Sequence, residues 1–452
     1  MVLLRRTDEP ATGDVLSAPL PTARQGRRRA RATRTRPQEV LLLLPAASYR
    51  NDAFRAAAQK LGVEIIAAAD YCHRLAPQWG LAPLMALPFD RPARALALAL
   101  CHLARRPDAV LAVDDHGVEL AALLGRRLGL PGNPVRAVRL LRDKLAFRSL
   151  LKRHRMNCPW FRHLRTDADP RALRAVRFPA VVKARRLAAS RGVIRADDHA
   201  ELVRAVSQVR RIQNKGDREA ARLGLVIESF IPGREYALEA LLVKGRLRVL
   251  ALFDKPDPLD GPFFEETIFV TPSHLSAPMQ RAAARAVERA CRHAGLVDGP
   301  VHAEFRLNER GIWLLEIAPR SIGGLCGAVL TRALGMTLEE LILRHALGRS
   351  VPAPRHRAAV GVMMIPIPER AIFDGVNGLE QALAVRGIAA IRITAERGQI
   401  VAPPPEGAGY LGFIFARVAA PARAVASLRR ANGRLEFKLR PEVLLHTRAR
   451  GS

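Results

Sequence analysis

His302-Ala303-Glu304-Phe305-Arg306-Leu307, followed after a short turn by Trp313-Leu314-Leu315-Glu316-Ile317-Ala318-Pro319-Arg320, decides how this chain is read. The two runs are expected to pair as an antiparallel hairpin around Asn308-Glu309-Arg310, each setting a glutamate in a mostly apolar strand. Facing across such a pair, Glu304 and Glu316 bring their carboxylate oxygens together. Like charges so placed repel without a cation between them, and a hard divalent ion such as magnesium suits oxygen ligands. The other reading is an exposed pair of surface glutamates.

Upstream lie groups that complement a metal-bound phosphate. Only eight of the 73 basic residues are lysines, and two of them, Lys144 and Lys183, stand out. Lysine is a compact point charge and does not substitute for arginine's fork. Lys183 ends the apolar run Phe178-Pro179-Ala180-Val181-Val182, so its charge points at an anion, or else its stem lies along the strand and its head in water. Ala188-Ala189-Ser190-Arg191-Gly192-Val193 is a small-residue turn whose N–H groups can approach phosphate oxygens, although small residues make any turn. Glu228-Ser229-Phe230-Ile231-Pro232-Gly233-Arg234-Glu235 leaves a strand, crosses a short apolar hinge and re-enters a strand. Two carboxylates flanking such a hinge suit an adenosine; alone, Glu235 reads equally as a solvated strand residue.

Beyond this core the pattern divides the chain. Residues 1–38 read as a disordered basic tail, interrupted by prolines and self-repelling through Arg24, Arg27, Arg28, Arg29 and Arg31. Residues 39–136 alternate apolar strands at 40–44, 63–67 and 109–113 with helices at 52–61 and 118–128, which predicts a parallel α/β sheet. Ligands sit beyond the carboxyl ends of such strands, so Asp114-Asp115-His116-Gly117 either faces a site or merely turns the chain. Residues 137–350 open with a helix from Val138 carrying Asp143-Lys144, and contain a hairpin turning at Lys244-Gly245 and a long helix at 277–294. Residues 351–452 return to strands and Pro/Gly turns.

A net charge of +31 invites a nucleic-acid partner. However, the excess is almost all arginine in an alanine-rich chain, without aromatic interleaving or a helix-turn-helix pattern, so compositional bias is preferred and nucleic acid is not expected. No apolar run approaches the ~20 residues a membrane helix needs. The five cysteines have no paired spacing and read as reduced thiols. A cytoplasmic protein is expected, and a homodimer is compatible with the sequence.

Taken together, Asp143-Lys144, Pro179 through Lys183, Ser190-Arg191-Gly192-Val193, Glu228 through Glu235, and Glu304 with Glu316 through Arg320 resemble the ATP-grasp superfamily. Phe263-Phe264-Glu265-Glu266-Thr267, Thr271-Pro272-Ser273 and the C-terminal Gly409-Tyr410-Leu411-Gly412-Phe413 resemble its L-amino-acid ligase branch. The resemblance implies an α/β and α+β architecture: an N-terminal parallel α/β domain, an ATP-grasp domain and a C-terminal ligase-type α+β domain. It implies an ATP-dependent carboxylate–amine ligase that works through an acyl phosphate on small amino acids. The same-fold rival is a carboxyphosphate-forming carboxylase; the non-enzymatic rival is an ATP-binding protein without turnover. By the resemblance, Lys144, Lys183 and the Ser190–Gly192 loop bind ATP phosphates, Glu228, Phe230 and Ile231 hold adenine, and Glu235 holds ribose. Glu304 and Glu316 hold Mg2+, with Mn2+ an allowed substitute, and Arg320 with N–H groups near Gly323 and Gly324 stabilises the reacting charge. Glu266 and His274 are substrate candidates. One departure stands out: Ala318 occupies the place where many relatives carry an asparagine metal ligand.

Overall fold

The computed structural model describes residues 2–5, 36–45, 50–70, 84–216, 221–353, 358–407 and 409–442. The parallel sheet of the first lobe has the order Leu84–Ala86, Glu64–Ala69, Glu39–Leu44, Ala109–Ala112. Glu39–Leu44 is buried on both faces, as a central parallel strand must be. Val40, Leu42 and Leu44 pack toward the rest of the chain, while Leu41 and Leu43 face the helices Pro92–His102 and Val118–Leu128. The three expected strands and both helices are present; the short edge strand Leu84–Ala86 was not expected.

A second lobe is a four-stranded antiparallel sheet, Phe161–Leu164, Leu225–Ser229, Ala180–Ala184, Val193–Ala196, with helix His199–Gly216 packed on it. The helix expected from Val138 is two helices, Val135–Arg142 and Lys144–Arg153, broken at Asp143. The Asp143 carboxylate caps the second by accepting from Leu145 N at 3.0 Å and Ala146 N at 3.4 Å, which ends one helix and starts the next.

The third element is a nine-stranded sheet in the order Val2–Arg5, Ile388–Ile393, Gly412–Val418, Ala359–Ile365, Ile268–Thr271, Arg246–Lys255, Arg234–Val243, Gly299–Asn308, Gly311–Ala318. Its register pairs Val243 with Arg246, so Lys244-Gly245 forms a two-residue turn with φ of 52° and 78°, the left-handed geometry that matches strand twist. Ile268–Thr271 pairs with Ala359–Ile365, so the sheet runs unbroken across the boundary expected near residue 350. Of the basic tail, Val2–Arg5 pairs with Ile388–Ile393 as an edge strand, and residues 6–35 lie outside the described residues. One apolar cluster joins Val40, Leu44, Val329, Ile342, Val360 and Phe413, tying first lobe, central sheet and C-terminal strands together. Among the described residues no helix is long and apolar enough to cross a membrane. Four of the cysteines are free thiols, and Cys72 lies outside the described residues.

Candidate active site

Strands Gly299–Asn308 and Gly311–Ala318 pair with Glu304 directly opposite Glu316, and the register slips by one residue immediately afterwards. Such a bulge re-aims the side chains beside it. Strand alternation puts His302, Glu304, Glu316 and Ala318 on one face, and that face borders a cavity of about 1740 Å³. The cavity is lined from every lobe: Asp115, Lys183, Ser190, Glu304, Glu316 and Tyr410 all reach it.

The cation inside the carboxylate cluster was missed by sequence reasoning. Lys255 ends the strand Arg246–Lys255, buried, and its ammonium donates to Glu235 at 2.8 Å, to Glu304 at 2.7 Å and to Glu266. Burial alone would strip its proton, but the three carboxylates outweigh this and hold its pKa well above the usual lysine value. Burial opposes charge on the glutamates too. It prevails at Glu266, whose pKa rises to about 7 despite Lys255. At Glu304, Lys255 and His302 overcome it and hold the carboxyl well below its usual range. Oxygens of Glu235, Glu266 and Glu304 lie within 4.8 Å of one another. The Lys255 ammonium already lies among these three, and Glu304 with Glu316 opposite it leaves hard carboxylate oxygens of the kind magnesium prefers. The sequence did carry a signal for Lys255: like Lys183, it is a scarce lysine ending an apolar strand.

The two lysines expected on the phosphates both have protein partners. Lys183 Nζ lies 2.5 Å from Glu228 Oε1, and Arg148 takes the same carboxylate through Nε at 2.7 Å and Nη2 at 3.1 Å. Burial opposes charge on Glu228, yet Arg148 and Lys183 outweigh it and bring its pKa down to about 2. Burial likewise lowers the pKa of Lys183, only partly offset by Glu228. Lys144 Nζ donates to Leu187 O at 2.6 Å and stands 3.9 Å from Glu316, linking the small-residue loop to the carboxylate pair. That loop passes through left-handed backbone at Ala189, Ser190 and Gly192, with φ of 55°, 55° and 63°. Positive φ at these small residues turns the chain tightly beside the cavity, with Arg191 N–H closing the turn onto Ala188 O at 3.3 Å. Ser190 lines the cavity; Gly192 is buried behind it.

At the hinge, Phe230 N–H donates to Pro179 O at 2.7 Å, and the Ile231 carbonyl accepts from Arg306 Nη1 at 2.7 Å. The ring of Phe230 lies between two guanidiniums, Arg195 at 4.5 Å and Arg306 at 4.9 Å. Glu235, expected on a ribose, gives one oxygen to Lys255 and the other to Arg306 Nε at 3.0 Å. Glu228, expected on adenine, is occupied by Arg148 and Lys183.

Arg320 leaves the end of its strand and meets Asp115 of the first lobe through Nε at 2.8 Å and Nη2 at 2.7 Å. Burial opposes both charges, but each stabilises the other: the Arg320 pKa is raised and that of Asp115 lowered. Of the two readings of Asp114-Asp115-His116-Gly117, the one facing a cavity describes Asp114, Asp115 and His116, all of which line it. Gly323 and Gly324 line the cavity, as does Glu266. His274 does not; it sits on Asp254 at 2.5 Å, outside the lining. Tyr410 reaches the cavity from the C-terminal strands, a placement the sequence could not show.

Residues 176–329 match the ATP-grasp domain, and residues 363–440 match the L-amino acid ligase C-terminal domain 2. Carnosine synthase 1 of Gallus gallus is 34% identical over 302 residues, 63% of this chain and 32% of the chicken protein. Alanine–anticapsin ligase of Bacillus amyloliquefaciens is 26% identical over 254 residues, covering 52% of this chain and 53% of that protein. The crystal structure of L-amino acid ligase from Bacillus licheniformis superposes with a TM-score of 0.74 at 24% identity, over 89% of this chain and 99% of that one. The chain spans between 32% and 39% of the length of the carnosine synthases it matches.

Proposed function

Since the chain belongs to the ATP-grasp superfamily and carries an L-amino acid ligase C-terminal domain, we propose that it joins a carboxylate to an amine at the expense of ATP, releasing ADP and phosphate. The substrates are small amino acids and the product a dipeptide or related amide. The observation that carries the reading is the Glu304–Glu316 cross-strand pair bordering one cavity with Lys144, Lys183 and Arg320.

The purine occupies the hinge, where Ile231 N–H takes no protein acceptor among the described residues, beside Phe230. Lys144, Lys183 and the loop through Ser190 hold the phosphates; the lysines act as point charges and the loop through its N–H groups. Glu304 and Glu316 hold magnesium, or manganese, which screens the phosphate charge when bound. Ala318, on the same face as Glu316, offers no side-chain ligand atom, so the side chains that would hold the ion are those of Glu304 and Glu316. The substrate carboxylate attacks the γ-phosphorus in line and ADP leaves; the neutral amine then attacks the acyl carbon, the C–O bond to the phosphate breaks, and the proton lost by nitrogen goes to the departing phosphate. Arg320, held in place by Asp115, stabilises the oxygen that gains charge in both steps, together with N–H groups at Gly323 and Gly324. Glu266 and Tyr410 border the carboxylate substrate, Glu266 facing its ammonium group.

Phosphate and ADP release across a panel of amino-acid pairs tests this. Turnover that depends on the pair supports it; an intact, ATP-binding protein with no pair-dependent turnover refutes it. Ala318 favours one second reading, a nucleotide-binding protein without turnover, for which ATP binding would be unchanged by Glu316→Gln.

A further inference from the structure

Arg50 precedes helix Asn51–Leu61 in the first lobe and is 5% exposed. Its guanidinium spans three segments. Nε and Nη2 donate to Glu339 Oε1 at 2.9 and 2.8 Å, and Nη1 donates to Ser321 Oγ at 2.6 Å. Nη1 also lies 3.4 Å from the carbonyls of Val113 and Ile322. The Phe54 ring stacks beside the guanidinium, 5.2 Å from its carbon. Residue 322 is gripped from the opposite side as well: its N–H donates to Glu239 Oε2 at 2.9 Å, and the other oxygen of Glu239 holds His302. Arg320 meanwhile crosses in the other direction to Asp115.

The next two residues are Gly323 and Gly324, the latter at φ 59°. Glycine carries no side chain to pack and has the largest backbone freedom, so order in this loop must come from its neighbours. Neither glycine N–H has a protein acceptor among the described residues, and both residues border the cavity. Donors stabilise a developing oxyanion only when held in place before it forms. A planar fork bonded to a side-chain hydroxyl and a carboxylate at once can hold them; a lysine ammonium, with one head and freely rotating donors, cannot.

We infer that Arg50 is a positioning residue that sets the 320–324 loop from the first lobe, so that Arg320 and the glycine N–H groups face the reacting carbon. What the loop does rests on the ligase reading; that Arg50 orders it does not.

The test compares full-length wild type with Arg50→Lys, Arg50→Gln and the milder Ser321→Ala, which removes only one of the bonds. Hydrogen exchange is read on peptides covering residues 320–325 and, as control, residues 299–308; kcat and KM for ATP are read with an accepted amino-acid pair. For both Arg50 variants, exchange of the Ile322 N–H, which Glu239 holds in the wild type, is expected to quicken on the order of tenfold or more while the control strand keeps its rate. Their kcat should fall about 10- to 100-fold with KM for ATP within about twofold, and lysine should give no rescue. Ser321→Ala should shift both readouts in the same direction by less, and it decides the matter if the Arg50 variants fold poorly. Wild-type exchange of the Ile322 N–H in folded variants, or lowered thermal stability with unchanged kcat per folded molecule, would overturn the inference. Absence of turnover in the wild type refutes the ligase reading alone, because the exchange comparison still decides the role of Arg50.

Discussion

Replacing Glu228 by Gln keeps the shape of the side chain and removes its charge, and the structure sets the size of the effect. Glu228 is 1% exposed, Arg148 1% and Lys183 9%, and both cations lie on its carboxylate. Glu228→Gln therefore leaves two buried cations without a counter-charge. Removing one partner of a buried ion pair costs roughly 3–5 kcal/mol. The amide's remaining carbonyl can still accept from Arg148, so the expected loss lies near the lower end, about 3 kcal/mol. The pH dependence has a definite sign. The Glu228 pKa is about 2 because Arg148 and Lys183 outweigh burial, against about 4.3 for an unfolded glutamate. Its contribution is present above about pH 4.3 and is lost as pH falls toward 2. Urea denaturation followed by tryptophan fluorescence reads this, since Trp160 packs on the second lobe and Trp313 lies in the strand beside Glu304. The variant should unfold at lower urea at pH 7, with the gap narrowing below about pH 4. A loss smaller than about 1 kcal/mol at pH 7, or a gap unchanged between pH 5 and 3, would show that the three charges are not coupled as described.

Four further outcomes are expected. Glu316→Gln should raise the magnesium concentration needed for half-maximal turnover, read by titration at fixed ATP, with the fold intact by circular dichroism. Arg320→Gln should lower kcat about 100- to 1000-fold with little change in ATP affinity, read by steady-state kinetics and nucleotide titration. Lys255→Met removes the cation shared by Glu235, Glu266 and Glu304; with like charges unrelieved, Glu266 and Glu304 should take up protons at higher pH, read as an upward shift of the acid limb of the rate profile. Tyr410→Phe should change KM for the carboxylate substrate but not for ATP.

The residues proposed to handle ATP stand out in the sequence because each is a local feature. A lysine closing an apolar strand, a small-residue turn and a glutamate in a hydrophobic run all break a pattern. By the same logic Lys255 was readable, as another scarce lysine closing a strand, Arg246–Lys255. Arg148 and Arg306 could not be singled out in a chain with 65 arginines; only burial separates the two that hold Glu228 and Glu235 from the many on the surface. His274 shows the converse, a polar residue beside a family-like motif that the fold turns onto Asp254 and away from the cavity.

By itself, the order of residues determined the alternation of strands and helices in the first lobe, the two-residue turn at Lys244-Gly245, and the pairing of Glu304 with Glu316. Periodicity and turn chemistry act over a few residues, so one strand or hairpin contains its own instructions. Tertiary structure decided which charges meet: Arg320 with Asp115 across 205 positions, Arg50 with Glu339 across 289, and Tyr410 at a cavity built mostly by other lobes. Those partners are selected by packing of whole lobes against one another, and the desolvation that makes each pairing matter exists only once the lobes have closed.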